Sequence, residues 1–132
     1  MKALKVGILG ATGAVGEQMR IVLAERKFPI SELRLFGSAR SAGTEVEFDG
    51  KMLKVVEATP EAFEGLDLLL GAADNDVAKK FLPDAAKKGI VVVDNSSAFR
   101  LDPEVPLVIP EVNPEDVKWS KGLIANPNCA TI

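Results

Sequence analysis

The sequence contains no histidine and a single cysteine, Cys129, among its 132 residues. One cysteine excludes an internal disulfide bond and a metal site built from cysteines. No uninterrupted apolar run is long enough to cross a bilayer. The excess of positive charge that binds nucleic acid is also missing, because 16 basic residues stand against 19 acidic ones. We therefore expect neither a membrane nor a nucleic acid as a partner.

The remaining composition is that of a soluble globular protein, with 47% hydrophobic and 27% charged residues. A chain of this length can form one domain, so residues 1–132 are treated as one. The first residues run directly into a strand pattern, without the apolar stretch and cleavage site of a signal peptide. A cytoplasmic location is the expectation.

Short apolar runs alternate with segments whose apolar residues repeat at helical spacing. This alternation implies parallel strands joined by right-handed crossovers, with helices covering both faces of the sheet. The predicted fold class is α/β: a Rossmann-like, doubly wound, mostly parallel sheet with helices on both faces and an edge hairpin. The predicted strands are residues 4–9, 33–36, 66–70, 90–93 and 123–125, and Gly89 is predicted to close a helix whose apolar face spans residues 77–85.

The hairpin is predicted from two short strand patterns, 45–48 and 51–56, that flank Asp49-Gly50. An Asp-Gly pair supplies the positive φ angles that a two-residue turn needs. We expect this hairpin at an edge of the sheet.

A glycine-rich turn, with Gly10, Gly13 and Gly16, lies between the first strand and the first helix. Glycine lets the backbone turn sharply and approach a pyrophosphate, while the free N–H groups at the helix start face the negative charge. The turn predicts a nicotinamide dinucleotide site. The alternative is a glycine-rich turn that holds no ligand.

The end of the second strand distinguishes NAD from NADP, because a carboxylate there would repel a 2′-phosphate. This chain instead has Ser38, Arg40 and Ser41, a cation between two hydroxyl groups. The pattern favours NADP. The alternative is an ordinary polar loop with a solvated arginine.

Two further segments are expected at the same edge of the sheet. Residues 94–100 follow one strand and end in Arg100, which can clamp an anionic oxygen group or can be a surface arginine. Residues 126–129 follow the last short strand, and a helix beginning there would present Cys129 near its positive end. A nucleophilic cysteine needs a partner base, which this histidine-free chain does not supply, and a lone cysteine is more often an inert buried residue.

Five segments taken together resemble aspartate-semialdehyde dehydrogenases, in that family's order along the chain. The resemblance implies NADP-dependent reductive dephosphorylation of aspartyl phosphate to aspartate semialdehyde, or the reverse reaction, on the route to lysine, methionine and threonine. The five segments are Gly10-Ala-Thr-Gly-Ala-Val-Gly16, Ser38-Ala-Arg-Ser-Ala-Gly43, Asp94-Asn-Ser-Ser-Ala-Phe-Arg100, residues 105–113 and Asn126-Pro-Asn-Cys129.

The same resemblance implies roles for individual residues. Cys129 matches the nucleophile that forms an acyl thioester, Arg100 the ligand of the substrate phosphate or inorganic phosphate, and Asn128 a residue that orients the acyl group. Residues 12–15 match the pyrophosphate site, Arg40 and Ser41 the 2′-phosphate site, and residues 95–97 the edge shared by cofactor and active site. The full set of implied cofactor-binding residues is Gly10, Thr12, Gly13, Ala14, Val15, Gly16, Ser38, Arg40, Ser41, Asn95, Ser96 and Ser97.

One stretch departs from the family pattern. Where relatives carry a Ser-Ala-Gly-Gly-like turn against the dinucleotide, this chain has Gly71-Ala-Ala-Asp-Asn75. Asp74 and Asn75 either add side chains and a negative charge near the cofactor phosphates, or Asp74 caps the helix that follows. The capping interpretation is preferred.

The sequence ends three residues after Cys129, at Ile132. The resemblance implies a second domain that supplies a histidine base, substrate contacts and the contacts of a homodimer or homotetramer. We therefore expect a fragment that is inactive alone. The alternatives are an N-acetylglutamyl-phosphate reductase, whose motif reads Pro-Gly-Cys instead of Pro-Asn-Cys, and a non-catalytic dinucleotide-binding module.

Overall fold

The computed structural model describes residues 2–131; Met1 and Ile132 lie outside the described residues. The strands are β1 (Leu4–Leu9), β2 (Ile30–Gly37), β3 (Glu45–Phe48), β4 (Lys51–Glu57), β5 (Leu68–Gly71), β6 (Val91–Asp94) and β7 (Leu123–Ala125). The α-helices are α1 (Ala14–Glu25) and α2 (Asn75–Lys87), and short 3-10 helices span Glu61–Phe63 and Pro114–Trp119.

All seven strands belong to one sheet, in the order β3-β4-β2-β1-β5-β6-β7. Every neighbouring pair is parallel except β3 with β4. The predicted fold class, an α/β Rossmann-like and mostly parallel sheet, is confirmed. Within residues 2–131, no helix is long and apolar enough to cross a membrane.

Alternation along the central strand divides the core between two faces. Ile8 belongs to the cluster that includes Met19 and Leu23 of α1, whereas the next residue, Leu9, belongs to the cluster that includes Leu82 of α2. Successive side chains of a strand point to opposite faces of the sheet, so the two helices cover opposite faces, as predicted.

The edge hairpin is also confirmed. Asp49 and Gly50 have φ angles of 49° and 82°, and β3 forms the outer edge of the sheet. The second hairpin strand, β4, also pairs in parallel with β2. The strand predicted at 33–36 is longer in the structure, because its first residues pair with the start of β1 although Ser31 and Glu32 are exposed.

Candidate functional site

The carboxyl ends of the six parallel strands meet at one edge of the sheet, and the main cavity opens there. β2 follows β1 in sequence and pairs with one side of it, whereas β5, later in the chain, pairs with the other side of β1. The strand order therefore reverses between β1 and β5. Open α/β sheets bind ligands at such a point. The cavity has a volume of about 510 Å³ and is lined by Leu9, Gly10, Thr12, Gly13, Gly37, Ser38, Ala39, Ser41, Glu57, Ala58, Ala72, Ala73, Asp74, Val77, Lys80 and Phe81.

Gly10 closes the turn after β1. Its φ is +84°, its N–H donates to the carbonyl oxygen of Phe36 at 2.9 Å, and a Cβ on it would lie 2.8 Å from the carbonyl carbon of Ala72. The positive φ and this contact leave no room for a side chain. The turn after β1 is thus held between β2 and the segment after β5.

The other two glycines of this turn differ in what surrounds them. A Cβ on Gly16, which is buried in α1, would overlap the carbonyl oxygen of Gly10 and lie 2.8 Å from Ala11. A Cβ on Gly13 would meet only that carbonyl oxygen, at 3.8 Å. Gly16 therefore permits the helix to pack on the turn, whereas Gly13 leaves open space.

The N-terminus of α1 suits an anion. Gly13 precedes the helix and no side chain caps it, so the first-turn N–H groups face the space in front of the helix. Such groups and the helix dipole attract phosphate. Thr12 lies beside them in the cavity lining, and the Ala14 side chain is exposed.

The loop after β2 is a compact turn. The hydroxyl oxygens of Ser38 and Ser41 lie 3.3 Å apart, and the Ser41 N–H donates to the Ser38 carbonyl oxygen at 3.0 Å. Both serines line the cavity. Arg40 is exposed and does not line it, so its role at a 2′-phosphate stays a prediction.

Asp74 caps α2. Its Oδ1 accepts a hydrogen bond from the N–H of Val77 at 3.0 Å, and the helix begins at the next residue. The preferred interpretation of this departure from the family pattern is confirmed, although Asp74 also lines the cavity. A capping carboxylate satisfies an N–H that a helix start otherwise leaves unpaired.

Asn75 has a different partner. Its Nδ2 donates to the Ser97 hydroxyl at 2.8 Å, and its Oδ1 accepts from the Ser97 N–H at 3.1 Å. The start of α2 is therefore tied to the loop after β6. The Ser97 hydroxyl is engaged within the chain.

The loop after β6 is organised by Asp94, whose side chain is completely buried. The Ser96 hydroxyl and N–H both donate to the Asp94 carboxylate, at 2.6 and 3.0 Å. A Cβ on Gly71 would lie 2.6 Å from Asp94 Oδ1, so β5 must carry a glycine beside this carboxylate. Ser96 thus acts within the described chain as a partner of Asp94, and its contact with a cofactor stays a prediction.

Arg100 joins two loops at the sheet edge. Its Nε donates to the Asn126 carbonyl oxygen at 2.8 Å, and its Nη2 donates to the Asn95 carbonyl oxygen at 2.9 Å. The side chains of Asn95 and Asn126 are themselves paired at 2.8 Å. Asn95 also lines a shallow apolar groove with Val15, separate from the main cavity.

Cys129 is exposed and follows this joined segment by three residues. The Asn128 Oδ1 accepts from the Ala130 N–H at 2.8 Å, which forms a local turn. Residues 129–131, the last three that the structure describes, form a turn. The thiol is therefore accessible, unlike the inert buried cysteine of the alternative interpretation.

Sequence reasoning missed one wall of the cavity. Val77, Lys80 and Phe81 of α2 and Glu57 at the end of β4 all line it. The helical spacing of Val77 and Phe81 also suits an ordinary core face, so it gave no specific signal. Glu57 reaches the cavity only because β4 lies next to β2.

Comparison with known proteins supports a family assignment. The family described as "Semialdehyde dehydrogenase, NAD binding domain" matches residues 5–120. An aspartate-semialdehyde dehydrogenase from Bacillus subtilis is 50% identical over 131 residues, which cover 99% of this chain and 38% of that protein. The chain thus spans well under half the length of this curated relative.

Two solved structures support the same family assignment. Aspartate semialdehyde dehydrogenase II from Vibrio cholerae, complexed with ASA, has a TM-score of 0.94 and 45% identity, covering 99% of this chain and 44% of that one. Aspartate semialdehyde dehydrogenase with NADP from Candida albicans has a TM-score of 0.79 and 30% identity, covering 98% and 44%. By its sequence and its fold, the chain belongs to the semialdehyde dehydrogenase family and corresponds to that family's NAD-binding domain.

Proposed function

We propose that this chain is the NADP-binding part of an aspartate-semialdehyde dehydrogenase that reduces L-aspartyl 4-phosphate to L-aspartate 4-semialdehyde. One observation carries the proposal: the exposed Cys129 follows β7 at the same sheet edge as the dinucleotide cavity. A thiol and a hydride donor at one edge suit the reduction of an acyl group held as a thioester.

The cavity fits a dinucleotide. Its volume of about 510 Å³ is in the usual range for small-molecule sites, and the open space at Gly13 faces the uncapped start of α1. In the proposal this helix start holds the pyrophosphate. The hydroxyl groups of Ser38 and Ser41, together with Arg40, contact the 2′-phosphate and make NADP the preferred cofactor.

Cys129 carries the covalent chemistry in the proposal. Its sulfur attacks the acyl carbon of aspartyl phosphate, a C–S bond forms, and the bond between the acyl carbon and the bridging oxygen breaks, so that inorganic phosphate leaves with that oxygen. A nicotinamide cofactor, when bound in the cavity, would supply the hydride that reduces this acyl carbon. The C–S bond then breaks, the aldehyde leaves, and the sulfur regains its free form.

Two neighbours of Cys129 support these steps. The Asn128 Oδ1 is engaged by the backbone, which orients its Nδ2 as a donor for the acyl oxygen. The guanidinium of Arg100 uses Nε and one N–H of Nη2 on carbonyl groups, so its Nη1 side is the part that binds phosphate. Arg100 thereby holds the cysteine loop and the anion together.

These 132 residues contain no histidine, the side chain that most often serves as a general base. We propose that the base is a histidine of a second domain, and that the complete protein is a cytoplasmic homodimer or homotetramer on the route to lysine, methionine and threonine. The 132-residue chain alone then binds NADP but does not turn over substrate.

A chimera tests the proposal. Replacing the matching 131 residues of the Bacillus subtilis relative with this chain restores a full-length protein. We expect NADPH formation that requires both aspartate semialdehyde and phosphate, and we expect Cys129→Ala to abolish it while NADP still binds. A folded chimera without activity beside an active parent enzyme contradicts the proposal. Activity that survives Cys129→Ala contradicts the role of the thiol.

A further inference from the structure

The dinucleotide cavity contains a carboxylate beside the loop that follows β2. Gly37, the last residue of β2, is the parallel partner of Glu57, the last residue of β4, and the Ala58 N–H donates to the Gly37 carbonyl oxygen at 2.9 Å. Neighbouring strands lie about 4.8 Å apart. Glu57 therefore lies one strand spacing from the start of the Ser38–Ser41 loop.

Ser41 folds back towards the same place. A Cβ on Gly37 would lie 3.0 Å from the Ser41 Cβ and 3.4 Å from its hydroxyl oxygen. Glu57 and Ser41 both line the cavity, and Glu57 is exposed. The ion pairs found within residues 2–131 do not include Glu57. Its negative charge is therefore directed to solvent and to whatever occupies this end of the cavity.

The Ser38–Ser41 loop contains a basic residue and no acidic one, but the charged residues that line the cavity are mostly acidic. Three charged residues line it, namely Glu57, Asp74 and Lys80, and two of these are acidic. Asp74 is engaged in capping α2, and Arg40 lies outside the lining. Lys80 lies on α2, which forms a different wall of the cavity. Glu57 is thus the charged lining residue that adjoins the Ser38–Ser41 loop.

We infer that Glu57 limits the preference for NADP over NAD, an inference that rests on the proposed function as a dinucleotide-binding domain. In dinucleotide folds the adenosine ribose lies beside the end of the second strand, which is Gly37 here. With NAD, the Glu57 carboxylate accepts a hydrogen bond from a ribose hydroxyl. With NADP, it repels a phosphate that carries about −1.5 to −2 charges at pH 7.

The expected size of the effect follows from exposure. Both charges are in contact with water, so their interaction is screened and changes a dissociation constant by only about twofold to fivefold. Arg40 attracts the 2′-phosphate and Glu57 opposes it. The domain consequently binds both dinucleotides, with only a small preference for NADP.

The test uses the 132-residue chain and isothermal titration calorimetry with NAD and with NADP in low salt. Glu57→Gln removes the charge with little change in shape. The matched control is Glu25→Gln, which changes net charge equally at the last residue of α1, about 18 Å along the helix from the phosphate end. Glu57→Lys is the second variant, and urea midpoints show whether each variant folds.

We expect Glu57→Gln to weaken the binding of NAD about threefold and to tighten the binding of NADP about threefold. The ratio of the two dissociation constants then changes roughly tenfold, and this change shrinks at high salt. Glu57→Lys extends the gain for NADP, and Glu25→Gln leaves the ratio unchanged. If both dinucleotides bind but the folded Glu57 variants keep the wild-type ratio within twofold, the inference is wrong. If the wild-type chain binds neither, the proposed dinucleotide function fails and the inference with it.

Discussion

Asn75 and Ser97 are paired through two hydrogen bonds, one in each direction, although they lie 22 residues apart. The pair connects the first residue of α2 to the loop after β6. That loop also contains Asn95, which bonds to Asn126 near the exposed thiol. The side of the site that carries Cys129 is thus tied to the helix that lines the dinucleotide cavity.

Asn75→Ala should loosen this connection. The change removes both hydrogen bonds, so we expect a loss of about 1 kcal/mol in the free energy of unfolding and faster hydrogen exchange at the Ser97 amide. Asn75→Gln, which keeps the amide group, is a control with a longer side chain. Wild-type exchange at Ser97 in Asn75→Ala would show that the pair does not hold the loop.

Substitutions at two glycines of the turn after β1 should have different effects, one on folding and the other on cofactor binding. Gly16→Ala places a Cβ against backbone atoms of Gly10 and Ala11, and we expect it to lower the free energy of unfolding by about 1–3 kcal/mol. Gly13→Ala meets only one atom within 4 Å, at 3.8 Å, so the protein should fold. Its methyl group projects into the space proposed for the pyrophosphate, and calorimetry should show weaker NADP binding. Undiminished NADP affinity in a folded Gly13→Ala variant would argue against this phosphate site.

The cap of α2 can be tested without changing the cavity shape greatly. Asp74→Ala should cost about 1 kcal/mol of stability, because the Val77 N–H loses its acceptor. Asp74→Asn keeps an acceptor while it removes the charge, so urea unfolding should place it within a few tenths of a kcal/mol of wild type. Equal destabilisation by the two variants would mean that the charge, and not the cap, stabilises the helix.

Arg100 should stabilise the fold, in addition to the role in phosphate binding proposed above. Arg100→Met leaves the carbonyl oxygens of Asn95 and Asn126 without this donor, and we expect a loss of about 2 kcal/mol. The rate at which iodoacetamide alkylates Cys129, measured in the variant and in wild type, shows whether the loop that carries Cys129 has changed. Arg100→Lys is the control that keeps the charge but not the planar pair of donors. An unchanged urea midpoint in Arg100→Met would show that the two carbonyl contacts add nothing to the fold.

Several features of the fold could be predicted from the sequence because they depend on neighbouring residues. Strand β1 was predicted with the bounds that the structure has, as was β7. The Asp49-Gly50 turn and the Asp74 cap were also recognisable, since a turn needs positive φ angles and a helix start needs an acceptor within three residues. The start of β2 was missed because Ser31 and Glu32 are exposed and polar, which hides the strand pattern.

The candidate site was predictable in outline, because loops that follow parallel strands share one edge of the sheet. The sequence did not show how the polar groups of those loops are used. Ser96 is bonded to Asp94, and Ser97 is bonded to Asn75 across 22 residues. No local pattern reports such partners.

The sequence by itself determined the glycine turn and the strand-helix alternation, and with them the kind of ligand that the domain is proposed to hold. Only the tertiary structure decided which charges line the cavity. The end of the second strand carries no carboxylate in the sequence, yet β4 lies beside β2 and brings Glu57 to the same place. Strand order depends on packing between distant segments of the chain, and a linear pattern of residue types does not contain it.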